Sequence, residues 1–252
     1  MTAVLAPLVG RARVVLLDFD GPVCGVFARH PASAVAHELR RLLAGRGVPL
    51  PAGIRHEPDP LAVLRFAATL GRPAVIRLVD EALTRAEVTA ARTAAPTPYG
   101  RQVIVAAHRT GRRVAVVSNN SAACVRAYLS AHGLTSYVHP VVGRPEGAPE
   151  RMKPDPYPAL AALRELDAEP ADCVLVGDSA TDVEAAHAAG IAAIGYANKP
   201  GKRARLAAAD ATIDSMAELV AALRRYELGP GTRSGPPRLR RGGGSLDRQP
   251  RP

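Results

Sequence analysis

Val14-Val15-Leu16-Leu17-Asp18-Phe19-Asp20-Gly21 is the stretch on which the reading of this chain turns. Four consecutive apolar residues, two of them β-branched, run into two carboxylates one residue apart. A run this short and apolar reads as a strand buried on both faces of a parallel sheet. A desolvated carboxylate is costly unless it is paired, hydrogen-bonded or bound to a metal, so two acids at the end of such a strand need a reason. The carboxyl ends of parallel strands are where α/β proteins place their ligands. Period-2 alternation turns Asp18 and Asp20 the same way, and Gly21 lets the backbone turn sharply or approach a ligand closely. The plainer alternative is a strand end that is merely acidic and solvated. The rest of the chain decides between the two.

Beyond Gly21, the Gly and Pro content of residues 21–26 marks a loop. From about Pro31 to Arg92 the periodicity is helical, over Ser33–Ala44, Pro60–Leu70 (Asp59 as N-cap, Gly71 as stop) and Pro73–Thr93. No strand signal interrupts it, so this block reads as an all-helical insertion. Pro96-Thr97-Pro98 breaks the pattern, and strands and helices then alternate. Strands are predicted at Val114–Val117, Val138–Val142, Cys173–Val176, Ala192–Gly195 and Ala211–Ile213. Helices are predicted at Tyr99–Thr110, Ala122–Ala131, from Pro156 to Leu166, at Thr181–Ala189 and at Ser215–Tyr226. The alternation predicts an α/β fold, a Rossmann-like doubly wound parallel sheet with an all-helical cap inserted after the first strand. The expected division is a core of residues 1–24 and 95–228, a helical cap of residues 25–94, and a disordered basic tail of residues 229–252.

Composition narrows the function classes. With 47% hydrophobic residues, 4% aromatics and no Trp, the core of these 252 residues is predicted to be aliphatic. Cys24, Cys124 and Cys173 are odd in number and widely spaced, which argues against a disulfide framework and fits a reducing, cytoplasmic setting. No apolar run reaches the roughly 18 residues needed to span a bilayer, and the Arg11- and Arg13-interrupted N-terminus does not read as a leader. The net charge of +10 invites a nucleic-acid reading. Half of it, however, falls in the tail, where six arginines face only Asp247, without interleaved aromatics. The charge is therefore read mainly as solubility, with polyanion binding by the tail as a minor alternative.

Three predicted strands end in polar clusters, Asp18/Asp20, Ser118/Asn119 and Asp178, and a doubly wound sheet brings such ends to one edge. Several carboxylates without His or Cys ligands suit a hard, oxygen-seeking cation, with Mg2+ first. Together with Lys153, a hydroxyl and backbone amides, they favour a phosphoryl group. One carboxylate can attack phosphorus while a second moves protons. No Gly-rich Lys-Ser/Thr loop is present, which excludes a P-loop enzyme of the usual form.

Taken in order, four motifs make the chain similar to the haloacid dehalogenase-like hydrolase superfamily. They are Asp18-Phe19-Asp20-Gly21, Val116-Val117-Ser118-Asn119-Asn120, Lys153-Pro154-Asp155-Pro156 and Gly177-Asp178-Ser179-Ala180-Thr181-Asp182 with Ala185-Ala186-His187-Ala188-Ala189-Gly190. The inserted helices resemble the cap of the phosphoglycolate phosphatase and β-phosphoglucomutase branch. The resemblance implies a magnesium-dependent phosphatase of a small phosphorylated metabolite. Asp18 would be nucleophile and metal ligand, and Asp20 general acid/base with its carbonyl on the metal. Ser118 and Asn119 would hold phosphoryl oxygens, Lys153 would neutralise charge, and Asp178 and Asp182 would serve the metal.

Plainer readings stand beside these. Asp182 is equally readable as a helix first-turn acid and Ser118 as a helix cap. Asp155, between two prolines, reads as turn chemistry. A phosphomutase on the same scaffold and a non-catalytic phospholigand-binding module are the rival functions; the Asp18/Asp20 pair speaks against the second. The chain departs from the family pattern after Gly21, where Pro22 removes a backbone donor and stiffens the loop. Specificity is expected in the cap, where Arg29, His30, Arg55, Arg65 and Arg77 are the candidates for a charged leaving group. Oligomeric state is not readable.

Overall fold

The computed structural model describes residues 2–226. The tail at 229–252 lies outside the described residues. The chain opens with α1 (Thr2–Arg11) and enters β1 (Val14–Leu17). A two-residue strand, β2 (Cys24–Gly25), leads into four helices, α2 (Ala32–Ala44), α3 (Ala52–Arg55), α4 (Pro60–Thr69) and α5 (Pro73–Ala91), and β3 (Ala95–Pro96) leads out of them. The remainder alternates: α6 (Gly100–Arg109), β4 (Arg113–Val117), α7 (Ala122–Ala131), β5 (Val141–Val142), α8 (Tyr157–Leu166), β6 (Cys173–Gly177), α9 (Ala180–Ala188), β7 (Ala192–Tyr196), α10 (Lys202–Arg205), β8 (Ala211–Ile213) and α11 (Met216–Arg225).

Six strands form one parallel sheet in the order β5-β4-β1-β6-β7-β8. The acidic strand β1 sits between β4 and β6, paired in parallel with both. Its two faces are both buried, as its unbroken apolar run requires. Val15 and Leu17 pack with α1, α6, α7 and α11 in one apolar cluster. Val14 and Leu16 pack with α8 and α9 in the other. Each fully buried Val or Leu contributes roughly 2 kcal/mol relative to an exposed one. The α/β doubly wound sheet expected from the sequence is therefore the observed fold.

Helices α2, α4 and α5 bury Val35, Leu39, Leu43, Val63, Leu64, Val79 and Leu83 against one another in a third cluster, separate from the sheet. The chain enters and leaves this helical block through the antiparallel pair β2–β3, Cys24 opposite Pro96 and Gly25 opposite Ala95. Asp59 accepts a hydrogen bond from Leu61 N (2.9 Å) and caps α4. Pro60 follows it in the first turn, where its missing N–H costs nothing.

Three local features differ from the sequence reading. The N-terminal segment, read only as an apolar lead-in, is helical. Its carboxyl end is held by the buried Arg112, whose Nε donates to Ala12 O and Nη2 to Val9 O, both at 3.0 Å. The strand expected over Val138–Val142 shortens to Val141–Val142, because Pro140 has no N–H to extend the ladder. Helices α3 and α10, each a single turn, carry too few residues for a periodic signal. Among the described residues, no helix is long and apolar enough to cross a membrane.

Candidate active site

The ladder runs one residue past the formal strands. Asp18 N donates to Val176 O and Ser118 N to Val142 O, both at 2.9 Å. The first polar residues after β1 and β4 are thereby fixed by the sheet itself. Lys153, from the loop between β5 and α8, rises into the same edge and is almost fully buried. Its Nζ lies 2.8 Å from Asp18 Oδ1, 2.6 Å from Asp182 Oδ1 and 2.9 Å from Val117 O. Asn119 braces the lysine from behind. Its Oδ1 accepts from Lys153 N (2.8 Å), and its Nδ2 donates to Lys153 O (3.1 Å). That side-chain bracket was not expected from the sequence, which assigned Asn119 only a phosphoryl contact. Spacing could not reveal it, since the partners are 34 positions apart.

Asp182 fills two places at once. Its Oδ2 accepts from Asp178 N (3.1 Å), Ser179 N (3.0 Å) and Ser179 Oγ (2.6 Å), closing the capping box of α9. Its Oδ1 turns inward to Lys153. Among the described residues that oxygen has no partner beyond this ion contact. Asp182 is thus the first-turn acid of α9, and the same side chain also reaches Lys153 in the cleft. Ser118 is not a helix cap: Ser121 caps α7, accepting from Cys124 N. The Ser118 hydroxyl instead accepts from Asn120 N (3.1 Å) and donates to Asn120 Oδ1 (3.3 Å).

Asp18, Asp178 and Asp182 each offer a carboxylate oxygen, and the three oxygens lie within 4.8 Å of one another. Burial pushes the Asp18 carboxyl up to about 8; Asp182 adds to the rise and Lys153 opposes it. Burial also works against the Lys153 ammonium, but Asp18 and Asp182 outweigh it and hold the lysine charged. With Lys202 on the Asp178 carboxylate, two ammoniums meet the three acids, and with all three ionised one negative charge is left over. An all-oxygen donor set with surplus charge fits a hard divalent cation. The space also fits. A Cβ on Gly21, which adopts φ +115°, would come within 2.5 Å of the Asp178 carboxyl carbon. One on Gly177 would come within 2.2 Å of Asp182 Cβ.

The Asp20 carboxylate stands apart from those three. Its Oδ1 accepts from Val26 N at 2.8 Å, at the start of the loop into the helical block. Asp20 is exposed at the mouth of the cleft yet crowded by neighbouring atoms. The resulting desolvation raises its pKa, the Val26 amide works against it, and Asp178 adds to it. Two residues absent from the sequence reading reach Asp178: Asn198 Nδ2 donates to its Oδ2 at 2.8 Å, and Lys202 Nζ contacts the same oxygen. Their signal was available. Asn198-Lys199-Pro200-Gly201-Lys202 follows the end of β7, a fourth strand end at the same edge.

Asp18, Asp20, Ser118, Asn119, Lys153, Asp178 and Asp182 all line one cleft of ≈ 530 Å³. Its far wall comes from the helical block: Phe27, Ala32, residues 58–61 and Arg65. Of the five cap candidates only Arg65 lines the cleft, with its Nη2 3.4 Å from Lys153 O. Arg29, Arg55 and Arg77 are exposed, and His30 lines a separate groove between α2 and α5. Cys24 is buried, and desolvation raises its thiol pKa steeply, so it is no thiolate nucleophile.

The sequence model of haloacid dehalogenase-like hydrolases matches residues 12–190, which takes in all four motifs. The chain belongs to the haloacid dehalogenase-like hydrolase family. Within that family it is 43% identical over 131 residues to a plasmid-borne phosphoglycolate phosphatase of Cupriavidus necator, covering 50% of this chain and 55% of that protein. A phosphoglycolate phosphatase of Xylella fastidiosa is 29% identical over 192 residues, 71% of this chain and 77% of its own. The chain thus spans only about half the length of some of the curated relatives it matches. Among solved structures, CbbY of Rhodobacter sphaeroides in complex with phosphate superposes with a TM-score of 0.64 at 25% identity, over 84% of this chain and 99% of that one. A β-phosphoglucomutase of Clostridium difficile shares the fold, with a TM-score of 0.60 at 15% identity over 81% and 91% of the two chains.

Proposed function

We propose that this haloacid dehalogenase-like hydrolase is a phosphatase that takes a small phosphomonoester through an aspartyl-phosphate on Asp18. The observation that carries the proposal is the Lys153 ammonium, held between Asp18 and Asp182 at the floor of a cleft that Asp20 and Ser118 also line. Lys153 opposes the burial-driven rise of the Asp18 carboxyl and aims it; with a cation bound beside it, Asp18 would be ionised, as a nucleophile requires. An Asp18 oxygen bonds to phosphorus as the bond to the leaving oxygen breaks. Asp20 gives that oxygen its proton and then takes one from the water that attacks phosphorus and frees Asp18. A raised carboxyl pKa suits a group that must hold a proton for transfer. Ser118 and the Asn119 backbone receive phosphoryl oxygens. The Asp18, Asp178 and Asp182 oxygens would hold Mg2+, which when bound supplies charge neutralisation for the phosphoryl group and its nucleophile.

The helical block acts as a cap: it supplies one wall of the cleft, is entered and left through β2 and β3, and rests on the core through α5. Arg65 is its one cationic candidate at the cleft, and it favours a substrate whose leaving group carries a second anionic charge. The relatives agree with that class: phosphoglycolate, for which two of them are named, carries a carboxylate, and a variant of the Rhodobacter sphaeroides CbbY has been crystallised with xylulose-1,5-bisphosphate. The test is a screen of phosphomonoesters with Mg2+, run in parallel on Asp18→Asn. Turnover of an anionic phosphomonoester that vanishes in the variant is the expected result; turnover that persists refutes Asp18 as nucleophile.

A further inference from the structure

A second charged cluster lies behind the phosphoryl-binding turn, and the chemistry above does not use it. Arg144, in the loop after β5, is buried between two acids of α5. Its Nε is 2.8 Å from Asp80 Oδ1 and its Nη1 2.9 Å from Glu87 Oε1. Asp80 and Glu87 are buried as well. Burying three charges costs several kcal/mol per ion before pairing, and only well-made hydrogen bonds return it. Here the bonds converge on one place. Arg144 N donates to Asn120 O (2.8 Å) and Nη1 to Asn119 O (2.9 Å). Glu87 accepts from Asn120 Nδ2 (3.2 Å) and Ser121 N (2.9 Å). Asn120 in turn holds Ser118 Oγ. The loop leaves no slack: a Cβ on Gly143 would come 2.2 Å from Ala122 N. Within the turn, Ser121 N is thus held from a helix of the cap, and Asn119 O and Asn120 O by the arginine that the helix pairs.

We propose that Glu87 and Arg144 are positioning residues for the turn Ser118–Ser121, so that the phosphoryl pocket is complete only with α5 seated against the core. This rests on the assignment of Ser118 and Asn119 to phosphoryl oxygens. It makes the cap part of the phosphate site rather than only its cover.

Calorimetric titration of the full chain with inorganic phosphate, and separately with Mg2+, tests it. Glu87→Gln is expected to weaken phosphate binding about tenfold, a size typical of losing a residue that orients a ligand. Its Mg2+ affinity, set by the carboxylates across the cleft, is expected to stay at the wild-type value. A folded Glu87→Gln with wild-type phosphate affinity overturns the proposal. So does an equal loss of phosphate and Mg2+ binding, which a general loosening of the fold would give. If circular dichroism shows Glu87→Gln unfolded, Glu87→Asp decides by the same criteria, because it keeps the charge but withdraws the carboxylate from Ser121 N. A wild-type protein that binds Mg2+ but no phosphate overturns the phosphoryl-site reading itself, and this one with it.

Discussion

Lys153 Nζ lies 2.6 Å from Asp182 Oδ1, while the other oxygen of that carboxylate closes the capping box of α9. One side chain therefore joins the start of a helix to the charge balance of the cleft. The two jobs can be separated by substitution. Ser179→Ala removes the hydroxyl of the box and is expected to cost about 1 kcal/mol of stability, with Mg2+ affinity nearly intact. Asp182→Asn keeps an oxygen for the Asp178 and Ser179 amides but turns an NH2 towards Lys153. It is expected to lose Mg2+ binding at least tenfold. Urea denaturation and calorimetry on both variants check this, and parallel behaviour of the two would dismiss the division of labour.

Arg65 is the cationic residue of the helical block that lines the cleft, with its guanidinium at the Lys153 carbonyl, and is the one proposed to meet the leaving group. Arg65→Met keeps most of the stem and removes the charge. The expected result is a KM raised about tenfold for a phosphomonoester with a second anionic group, the worth of one charge-assisted hydrogen bond. A neutral aryl phosphate should show little change. Steady-state kinetics on the two substrates settle it; equal effects on both would remove Arg65 from specificity.

The legible parts of this chain were those where one residue type serves one local rule. The β1 run Val14–Leu17 could be nothing but a doubly buried strand, and its two acids announced a site. Ser118, Lys153 and Asp178 were found because each follows a strand or sits beside prolines in a recognisable order. The Asn119 bracket on Lys153, the Asn198 and Lys202 contacts to Asp178 and the Arg144 cluster were not found. The Asn119 bracket and the Arg144 cluster join positions far apart in sequence through hydrogen bonds and ion pairs that no periodicity records, whereas Asn198 and Lys202 carry a readable signal in their place after β7. The strands β2 and β3 were missed because two residues cannot show alternation. Sequence cannot separate the alternatives for Asp182, because one of its oxygens caps α9 while the other faces Lys153.

Asp210 accepts from Ala193 N (2.8 Å) and pairs with His187 Nε2 (3.0 Å), tying α9 and the start of β8 to β7. Burial alone would raise its carboxyl pKa, but the Ala193 amide and His187 outweigh it and hold it below the usual carboxylate range. A lowered carboxyl pKa gives stability that is complete above the ordinary value near 4 and is lost as pH falls through the lowered one. The site is half-exposed, so the effect is small. Urea midpoints of wild type and Asp210→Asn should differ at pH 7 and converge as the pH drops below 4. A gap independent of pH would show that the charge contributes nothing.

Lys202 places an ammonium on the same Asp178 oxygen that Asn198 already holds. A cation beside a carboxylate of the proposed metal site opposes a second cation there, and for a partly solvated pair a few ångströms apart that repulsion is on the order of 1 kcal/mol. Asn198 remains to orient Asp178 when the lysine is removed. Lys202→Met is therefore expected to bind Mg2+ more tightly, by about three- to tenfold, while Asn198→Ala weakens binding by freeing the carboxylate. The signs are opposite although both side chains touch one oxygen, so calorimetric titration of the pair separates repulsion from orientation. Weaker Mg2+ binding in Lys202→Met would mean that the lysine holds Asp178 in place rather than competing for it.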